Sequence, residues 1–219
     1  NKGWEFSADG DIIRNREWEW NVGLNLSKVK NKIGKLPDKD REEGITNGDF
    51  QKFKEGHSIY EFWLYQYAGV DQMTGRSVYL PDFNAYYIAG EDGKTPVNGE
   101  ESTEGKNPIP TDSWVAINGQ YYTGDPRYAR KDWSGSSLPK INGSVTTSLR
   151  WKDLTLSALM IFSCGSKVFD QPYQTLTSVG VHSLTPDLLN AWTAIPEGMT
   201  PTSPNRLDPS GIPQVNLDA

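Results

Sequence analysis

The sequence predicts an all-β chain, a sector of a transmembrane antiparallel β-barrel with long extracellular loops and one short loop helix. Two pairs of adjoining runs alternate apolar and polar residues with a period of two, which puts the two sets on opposite faces of extended strands. Each pair closes through a short turn, while its other end feeds dozens of residues. That asymmetry is usual for outer-membrane barrels. Trp18, Trp20 and Trp151 sit on the apolar faces beside the short turns, where an interfacial, lipid-facing aromatic girdle falls. The polar faces carry Glu5, Asp9, Glu19 and Arg150, which a water-filled lumen tolerates and a sandwich core does not.

Composition agrees with this class. The 219 residues hold 22 Lys and Arg against 28 Asp and Glu, a net charge of −6 that argues against a general nucleic-acid binder. No segment approaches the ~18 uninterrupted apolar residues of a spanning helix. Such a limit leaves barrels open, because their strands look polar on average. With 21 Gly, 14 Pro, 10 Tyr and 8 Trp the chain reads as turn-rich β structure. A single cysteine excludes an internal disulfide and a zinc site built from Cys pairs. Asn1 enters an alternating run at once, with no basic leader before it, so the chain reads as an internal piece of a longer polypeptide.

The first hairpin covers residues 3–27. Trp4, Phe6, Ala8 and Gly10 share one parity, and Glu5, Ser7, Asp9 and Asp11 the other. Past a turn near Arg14 and Arg16, Trp18, Trp20, Val22, Leu24 and Leu26 alternate with Glu19, Asn21, Gly23, Asn25 and Ser27. Residues 28–41 hold six Lys and Arg, either a solvated loop or a site for lipid phosphates. Residues 57–68 (HSIYEFWLYQYA) read as one aromatic-rich strand, and residues 77–88 return after a turn at 70–75. Residues 90–110 read as exposed loop, and residues 114–122 (WVAINGQYY) as one further short strand.

The second hairpin, residues 140–166, is cleaner. Ile141, Gly143, Val145, Thr147, Leu149 and Trp151 face one way, and a tight turn at Lys152 and Asp153 returns Leu154, Leu156, Ala158, Met160, Phe162 and Cys164 to the same face. Each arm has about the 9–11 residues that cross a bilayer as a tilted strand, with Leu156 expected near mid-membrane. Residues 28–139 and 170–219 are then expected on the extracellular side. In the last stretch Thr185 caps a short helix, Pro186 takes its first position and Asp187 favours its dipole. Leu188, Leu189 and Trp192 are expected to form one apolar stripe on it. Five prolines between 196 and 213 exclude a sheet there. Four to seven strands cannot close a barrel, so the remaining wall is expected from the rest of a parent chain.

The motifs, in order, resemble those of the SusC/RagA family of TonB-dependent outer-membrane transporters. Asn1-Lys2-Gly3-Trp4-Glu5-Phe6 followed by Trp18-Glu19-Trp20-Asn21 is similar to the family's "N-x-G-x-E … F-x-W" hairpin. Lys30-Asn31-Lys32-Ile33 with Glu55-Gly56-His57-Ser58 resembles "K-N-x-I … x-G-x-S/P", and Tyr67-Ala68-Gly69-Val70-Asp71 with Thr74-Gly75 resembles "Y-x-G-V-D-P-x-T-G", with Gln72 in place of Pro. Gly124-Asp125-Pro126-Arg127-Tyr128 resembles "G-D-x-R-Y". Pro139 to Ser144, Trp151-Lys152-Asp153-Leu154 and Gly165 to Asp170 resemble "P-x-x-x-G-G … Y-K-x-F/L-D-L … G-x-K-V-Y-D". Asp187 to Thr193 is similar to "D-x-L-x-A-W-T". Ser144 stands where a second Gly is common, and Arg130-Lys131-Asp132-Trp133 replaces an acidic run, so no calcium site is placed there.

The resemblance implies a plugged barrel of about 22 strands in the outer membrane of a Gram-negative bacterium. It also implies a SusD-like surface lipoprotein over the mouth, a paired complex, and uptake of an oligosaccharide or peptide driven by TonB. The plug domain and the TonB-contacting segment would lie in other parts of the parent chain. Two readings from other classes stay open at this stage: a secreted carbohydrate-binding β-sandwich, and a non-transporting outer-membrane scaffold barrel.

No catalytic constellation and no cofactor motif stands out, and the chain is not expected to be an enzyme. His57 and His182 have no i+4 His or Cys partner, so no metal site is expected. The acidic pairs Glu42-Glu43 and Glu100-Glu101 read as solvated loop charge. Cys164 has the outward parity of a small apolar residue facing lipid, the alternative being a reactive thiol. Candidates for substrate or lid contact are Tyr86, Tyr87, Tyr121, Tyr122, Trp133, Leu188 and Trp192, with girdle or packing roles as the alternative for the aromatics.

Overall fold

The computed structural model describes residues 1–90, 92, 95–97, 103–178 and 184–215. His182, Glu100 and Glu101 lie outside them. In chain order the first strands are β1 (Lys2–Arg14), β2 (Trp18–Lys30), β3 (Ile45–Asn47), β4 (Gln51–Phe53) and β5 (Glu61–Tyr65). Next come β6 (Tyr67–Asp71), β7 (Arg76–Tyr79), β8 (Tyr86–Ile88), β9 (Asn107–Ile109), β10 (Trp114–Ile117) and β11 (Gln120–Thr123). The last are β12 (Lys131–Ser136), β13 (Ile141–Trp151), β14 (Leu154–Cys164) and β15 (Leu207–Asp208), with one α-helix, α1 (Gln171–Thr177), between β14 and β15. No described helix is long and apolar enough to cross a membrane, which says nothing of strands. The chain divides into two units, Asn1–Leu64 with Trp133–Phe169, and Tyr65–Asp132 with Asp170–Ala219.

The first unit is dominated by an antiparallel sheet in the order β1-β2-β13-β14. Its register lines up the alternating residues in rows across the strands. One face carries Phe6, Leu26, Gly143 and Phe162, then Ala8, Leu24, Val145 and Met160, then Trp20, Leu149 and Leu156. The other carries Ser7, Asn25, Ser144 and Ile161, then Thr146 and Leu159, then Asn21, Ser148 and Ser157, so it is polar except where β14 adds Leu159 and Ile161. At Gly143 a Cβ would meet the Asn25 carbonyl at 2.7 Å and the Phe162 ring besides, so the ring lies over bare backbone. A bulge between Asp11 and Ile13 leaves Ile12 unpaired and resets the parity. Ile13 then pairs with Trp20 on the apolar face, and Arg14 with Glu19 on the polar one.

Both short turns lie at the same end of this sheet. Asn15 shapes the first, its Oδ1 accepting from the Glu17 and Trp18 amides at 3.0 and 2.8 Å. In the second, Lys152 takes φ +52° and its amide donates to the Glu17 carbonyl. Trp18 pairs with Trp151 and stacks on it, ring centroids 5.6 Å apart. That row marks one rim of the apolar band. Leu156 is consequently only one same-face row from the rim, and Met160 takes the mid-band place expected for Leu156. A second sheet, β12-β5-β4-β3, belongs largely to the same unit.

The second unit has a closed core. Its sheet runs β10-β11-β7-β6-β15, and Val78, Ile117 and Tyr122 form a buried cluster backed by Ala68, Leu80, Val115 and Leu207. Beside it the parallel pair β8-β9 buries Ile88 and Ile109.

Four local expectations need correction. Residues 114–122 are two strands: Asn118 and Gly119 both take positive φ (51° and 80°) and turn β10 into β11, the two-residue Asn-Gly hairpin signal. Residues 57–68 break at Gln66, between β5 and β6, which enter different sheets. The Thr185 cap and Pro186 do start a helical turn, but it is a 3₁₀ segment of five residues (Pro186–Asn190). With three residues per turn it makes no stripe, and Leu189 is 87% exposed. Finally, the proline-rich stretch does supply a strand: β15 is two residues long, and the proline nearest it, Pro209, follows directly after its end.

Candidate functional site

The polar face of the long sheet is a ladder of hydrogen-bonding side chains. Ser7 Oγ donates to Asn25 Oδ1 at 2.7 Å, Asn25 Nδ2 to Ser144 Oγ at 3.3 Å, and Asn21 Nδ2 to Asp11 Oδ1 at 3.2 Å. The Arg150 guanidinium binds Glu19 through Nε at 3.1 Å. All of these bridge strands rather than neighbours in sequence. The Arg150–Glu19 pair on this face remains partly exposed.

Between the strand ends and the next sheet, Asn31 organises the chain. Its Oδ1 accepts from Ser58 Oγ and the Ile59 amide, both at 3.0 Å, while Ile33 exchanges backbone bonds with His57 and Gly56. The separated motifs K-N-x-I and G-H-S are thus one junction. His57 lies flat on Trp133, 3.8 Å between centroids with planes 10° apart, and its Nδ1 contacts Glu61 Oε2 at 2.8 Å. Trp63 meets Trp133 edge-on at 4.9 Å. Glu55 accepts from the Leu36 amide at 2.7 Å and from Arg41. Those bonds, the Leu36 amide first, hold its carboxyl below the ordinary range.

The second unit is locked by Asp71. Its Oδ1 accepts from the Met73 amide at 3.1 Å and its Oδ2 from Thr74 Oγ1 at 3.0 Å, an Asx turn that closes V-D-x-x-T-G. The Arg206 guanidinium grips the same carboxylate twice, Nε at 2.8 Å and Nη2 at 3.0 Å, with Asp71 only 1% exposed. Burial alone raises this carboxyl, but Arg206, the Met73 amide and Thr74 outweigh it and hold it below its ordinary value. Gly75, at φ +69°, presents bare backbone to the Trp192 ring, whose Nε1 donates to the Gln72 carbonyl at 3.0 Å. Asp125 plays a similar part in G-D-P-R-Y, capping the Arg127 amide at 2.9 Å and binding its guanidinium.

These neighbourhoods locate the expected residues. Trp18 and Trp151 stack on the apolar rim, and Trp20 beside them donates through Nε1 to Thr147 at 2.9 Å. Trp133 is half-buried between His57 and Trp63. Tyr121 is half-buried, edge-on to Trp114 at 5.4 Å, and its hydroxyl donates to the Val97 carbonyl. Tyr86 meets Tyr128 at 5.1 Å. Tyr87 and Tyr122 are buried, 7% and 6% exposed. Leu188 is half-buried and Trp192 sits on the Asp71 turn. Cys164 is exposed at the end of β14. The polar ladder and the Asp71–Arg206 clamp were not picked out as sites. The first follows from the alternation, whereas no local signal pairs Arg206 with a residue 135 positions away.

No family model matches the chain. It is 27% identical over 198 residues to TonB-dependent receptor P3 of Formosa agariphila, covering 88% of the chain and 17% of that receptor. The chain is thus similar, along most of its length, to a TonB-dependent receptor. A second receptor of that organism, P39, is 32% identical over 82 residues, 37% of the chain and 8% of its own length. Among solved structures, the RagAB peptide transporter superposes with a TM-score of 0.60 at 21% identity, over 87% of this chain and 18% of that one. The RagAB peptide importer in the 'open-open' state gives 0.54 over 97% of this chain and 19% of that one. The fold of this chain is therefore that of a β-barrel sector, in agreement with the resemblance of its motifs. It spans less than a fifth of the length of each of these relatives.

Proposed function

We propose that this segment forms part of the wall and the extracellular loops of an outer-membrane importer for peptides or glycans, driven by TonB. The carrying observation is the long sheet with one apolar and one hydrogen-bonded polar face, in a chain related to a TonB-dependent receptor along most of its length. The apolar face meets lipid and the polar face lines the lumen. Residues 28–139 and 170–219 lie on the outer side, where a SusD-like lipoprotein seats as a lid and the complex pairs. Tyr86, Tyr121, Leu188 and Trp192 in the second unit, and Trp133 in the first, offer the substrate or lid its contacts, whereas Tyr87 and Tyr122 are buried and serve packing. TonB engages a part of the receptor other than this segment. In this role the segment is not an enzyme and needs no cofactor.

The test uses the complete receptor that carries this segment. It should fractionate with outer membranes and require detergent, and its loss should abolish uptake of one class of oligopeptide or oligosaccharide. Deleting residues 172–213 should leave barrel insertion intact and weaken co-purification of the lipoprotein. Recovery in the aqueous fraction, or unchanged lipoprotein binding with a barrel that fails to assemble, would overturn the reading.

A further inference from the structure

At the end of β1 and β2 away from the short turns, three lysines stand on the lipid-facing side. The register pairs Trp4 with Lys28 and Lys2 with Lys30. The parity that carries Trp20, Val22, Leu24 and Leu26 outward carries Lys28 and Lys30 outward too. Lys2, Gly3, Trp4, Lys28 and Lys30 together line a cleft of about 290 Å³.

The depth of this cleft in the wall matters. From the Trp18 row to the Lys28 row, roughly ten residues at about 3.3 Å each, on strands tilted by about 40°, climb about 25 Å. That is the height of the apolar band of an outer-membrane barrel, so the lysines stand level with the headgroups of the outer leaflet. Phe6, Leu26 and Phe162 lie just below them on the same face.

Among the described residues no carboxylate forms an ion pair with Lys2, Lys28 or Lys30. Glu61, which lines the neighbouring cleft with Lys28 and Lys30, already holds His57 at 2.8 Å. Three lysines that line one cleft, none of them ion-paired among the described residues, make it attractive to an anion. Lysine meets phosphate as a point charge, and its aliphatic stem can lie along apolar surface while the head stays in the interface.

We propose that Lys2, Lys28 and Lys30, around Trp4, hold the phosphate group of an outer-leaflet lipid whose acyl chains run down the Phe6, Leu26 and Phe162 stripe. The proposal rests on the wall reading above. Position selects a lipid over a free anion, because the cleft opens on the lipid-facing side, directly above apolar surface.

The test reconstitutes the complete receptor in phosphatidylcholine nanodiscs holding bis-phosphorylated lipid A or its dephosphorylated form, and measures lipid retention. Each lysine near an anionic surface contributes about fivefold. Lys30→Gln should thus weaken retention of the phosphorylated lipid about fivefold, and Lys28→Gln with Lys30→Gln more than tenfold. Retention of the dephosphorylated lipid should not move, and Lys39→Gln, in a remote exposed turn, should change neither. Heat-modifiable gel migration reports that the barrels fold, and the single variant carries the test if the double one does not. Equal retention by wild type and Lys30→Gln would overturn the proposal, as would displacement of the lipid by inorganic phosphate at the same concentration as lipid A. A receptor absent from outer membranes would sink the wall reading itself. One that sits there with lipid retention unchanged would sink only this inference.

Discussion

The long sheet and the second unit use the same strand chemistry and end in opposite states. In the sheet, Leu154, Leu156 and Met160 are 67%, 69% and 59% exposed. In the second unit, Val70, Val78 and Ile117 are at most 2% exposed. Apolar side chains in water are driven into a core at about 25 cal/mol per Å² buried, and the second unit obeys that rule. The apolar face of the long sheet obeys it when it meets hydrocarbon, as the proposed wall requires. On that proposal the two regions have two solvents, and substitutions in each should carry the energetic signature of its own surroundings.

The largest effect is expected in the water-solvated unit. Asp71→Ala would strip Arg206 of its only described carboxylate and leave a buried cation, a loss of about 3–5 kcal/mol. Limited proteolysis and chemical denaturation of the second unit should show it, with the long sheet unaffected. The same pair predicts a pH dependence. Because the Asp71 carboxyl is held below its ordinary value, its contribution is fully present above the unfolded pKa near 3.8. It is lost as pH falls through the lower folded value, when the unfolded state binds its proton first. Protection of this unit that stayed constant as pH fell from neutral to well below the unfolded value would contradict this linkage.

Next in size is a charge placed on the lipid face. Met160→Arg, in the middle of the apolar band, should cost about 2–4 kcal/mol of barrel stability, and Leu156→Arg, one row from the Trp18–Trp151 rim, nearer to about 1 kcal/mol. Ser148→Arg on the opposite face should be mild. Refolding titrations in detergent or lipid would rank the three, and equal costs for Met160 and Ser148 would mean that the faces are assigned wrongly.

A smaller backbone effect belongs to the Asp71 turn. Gly75→Ala forces a side chain into positive φ and against the Trp192 ring, at about 1–3 kcal/mol. Thermal melting of the outer segments would reveal it. A neutral result would mean that Trp192 is free to move away, and that the turn does not anchor residues 192–206.

How much of this was legible depends on the range of each interaction. The long strands could be read because period-two alternation is local: it runs through all of β13, through residues 18–27 of β2, up to the bulge in β1 and up to the apolar run at 158–162 in β14. The shared face of most residues followed, as did the place of Trp18 and Trp151 beside the short turns, where they pair and stack. The level of Leu156 did not, because depth is set by cross-strand register and not by a strand's own pattern. The Asn118-Gly119 turn was visible in the sequence but hidden inside an aromatic run. Asp71 and Arg206 were beyond reach: the Asx turn is local, but its guanidinium partner comes from a proline-rich stretch with no periodicity. Lys28 and Lys30 could be read either as a solvated run or as a site for lipid phosphates, and only the register sets them beside Trp4 and Lys2.

The smallest expected effect is the one that tests the solvent of the polar face. Arg150 and Glu19 form a cross-strand pair with side chains 43% and 37% exposed. In a water-filled lumen such a pair is screened, and Glu19→Gln should cost no more than about 1 kcal/mol, less at high salt. Were the same face packed against apolar material, the variant would strand a charged guanidinium, and about 3–5 kcal/mol would be lost with little salt dependence. The side chains in contact are the same in both cases, so the size of the loss reads the medium and not the bond. Refolding stability of wild type and Glu19→Gln at low and high salt measures it. A small, salt-sensitive value places water on the polar side of a sheet whose other side meets lipid.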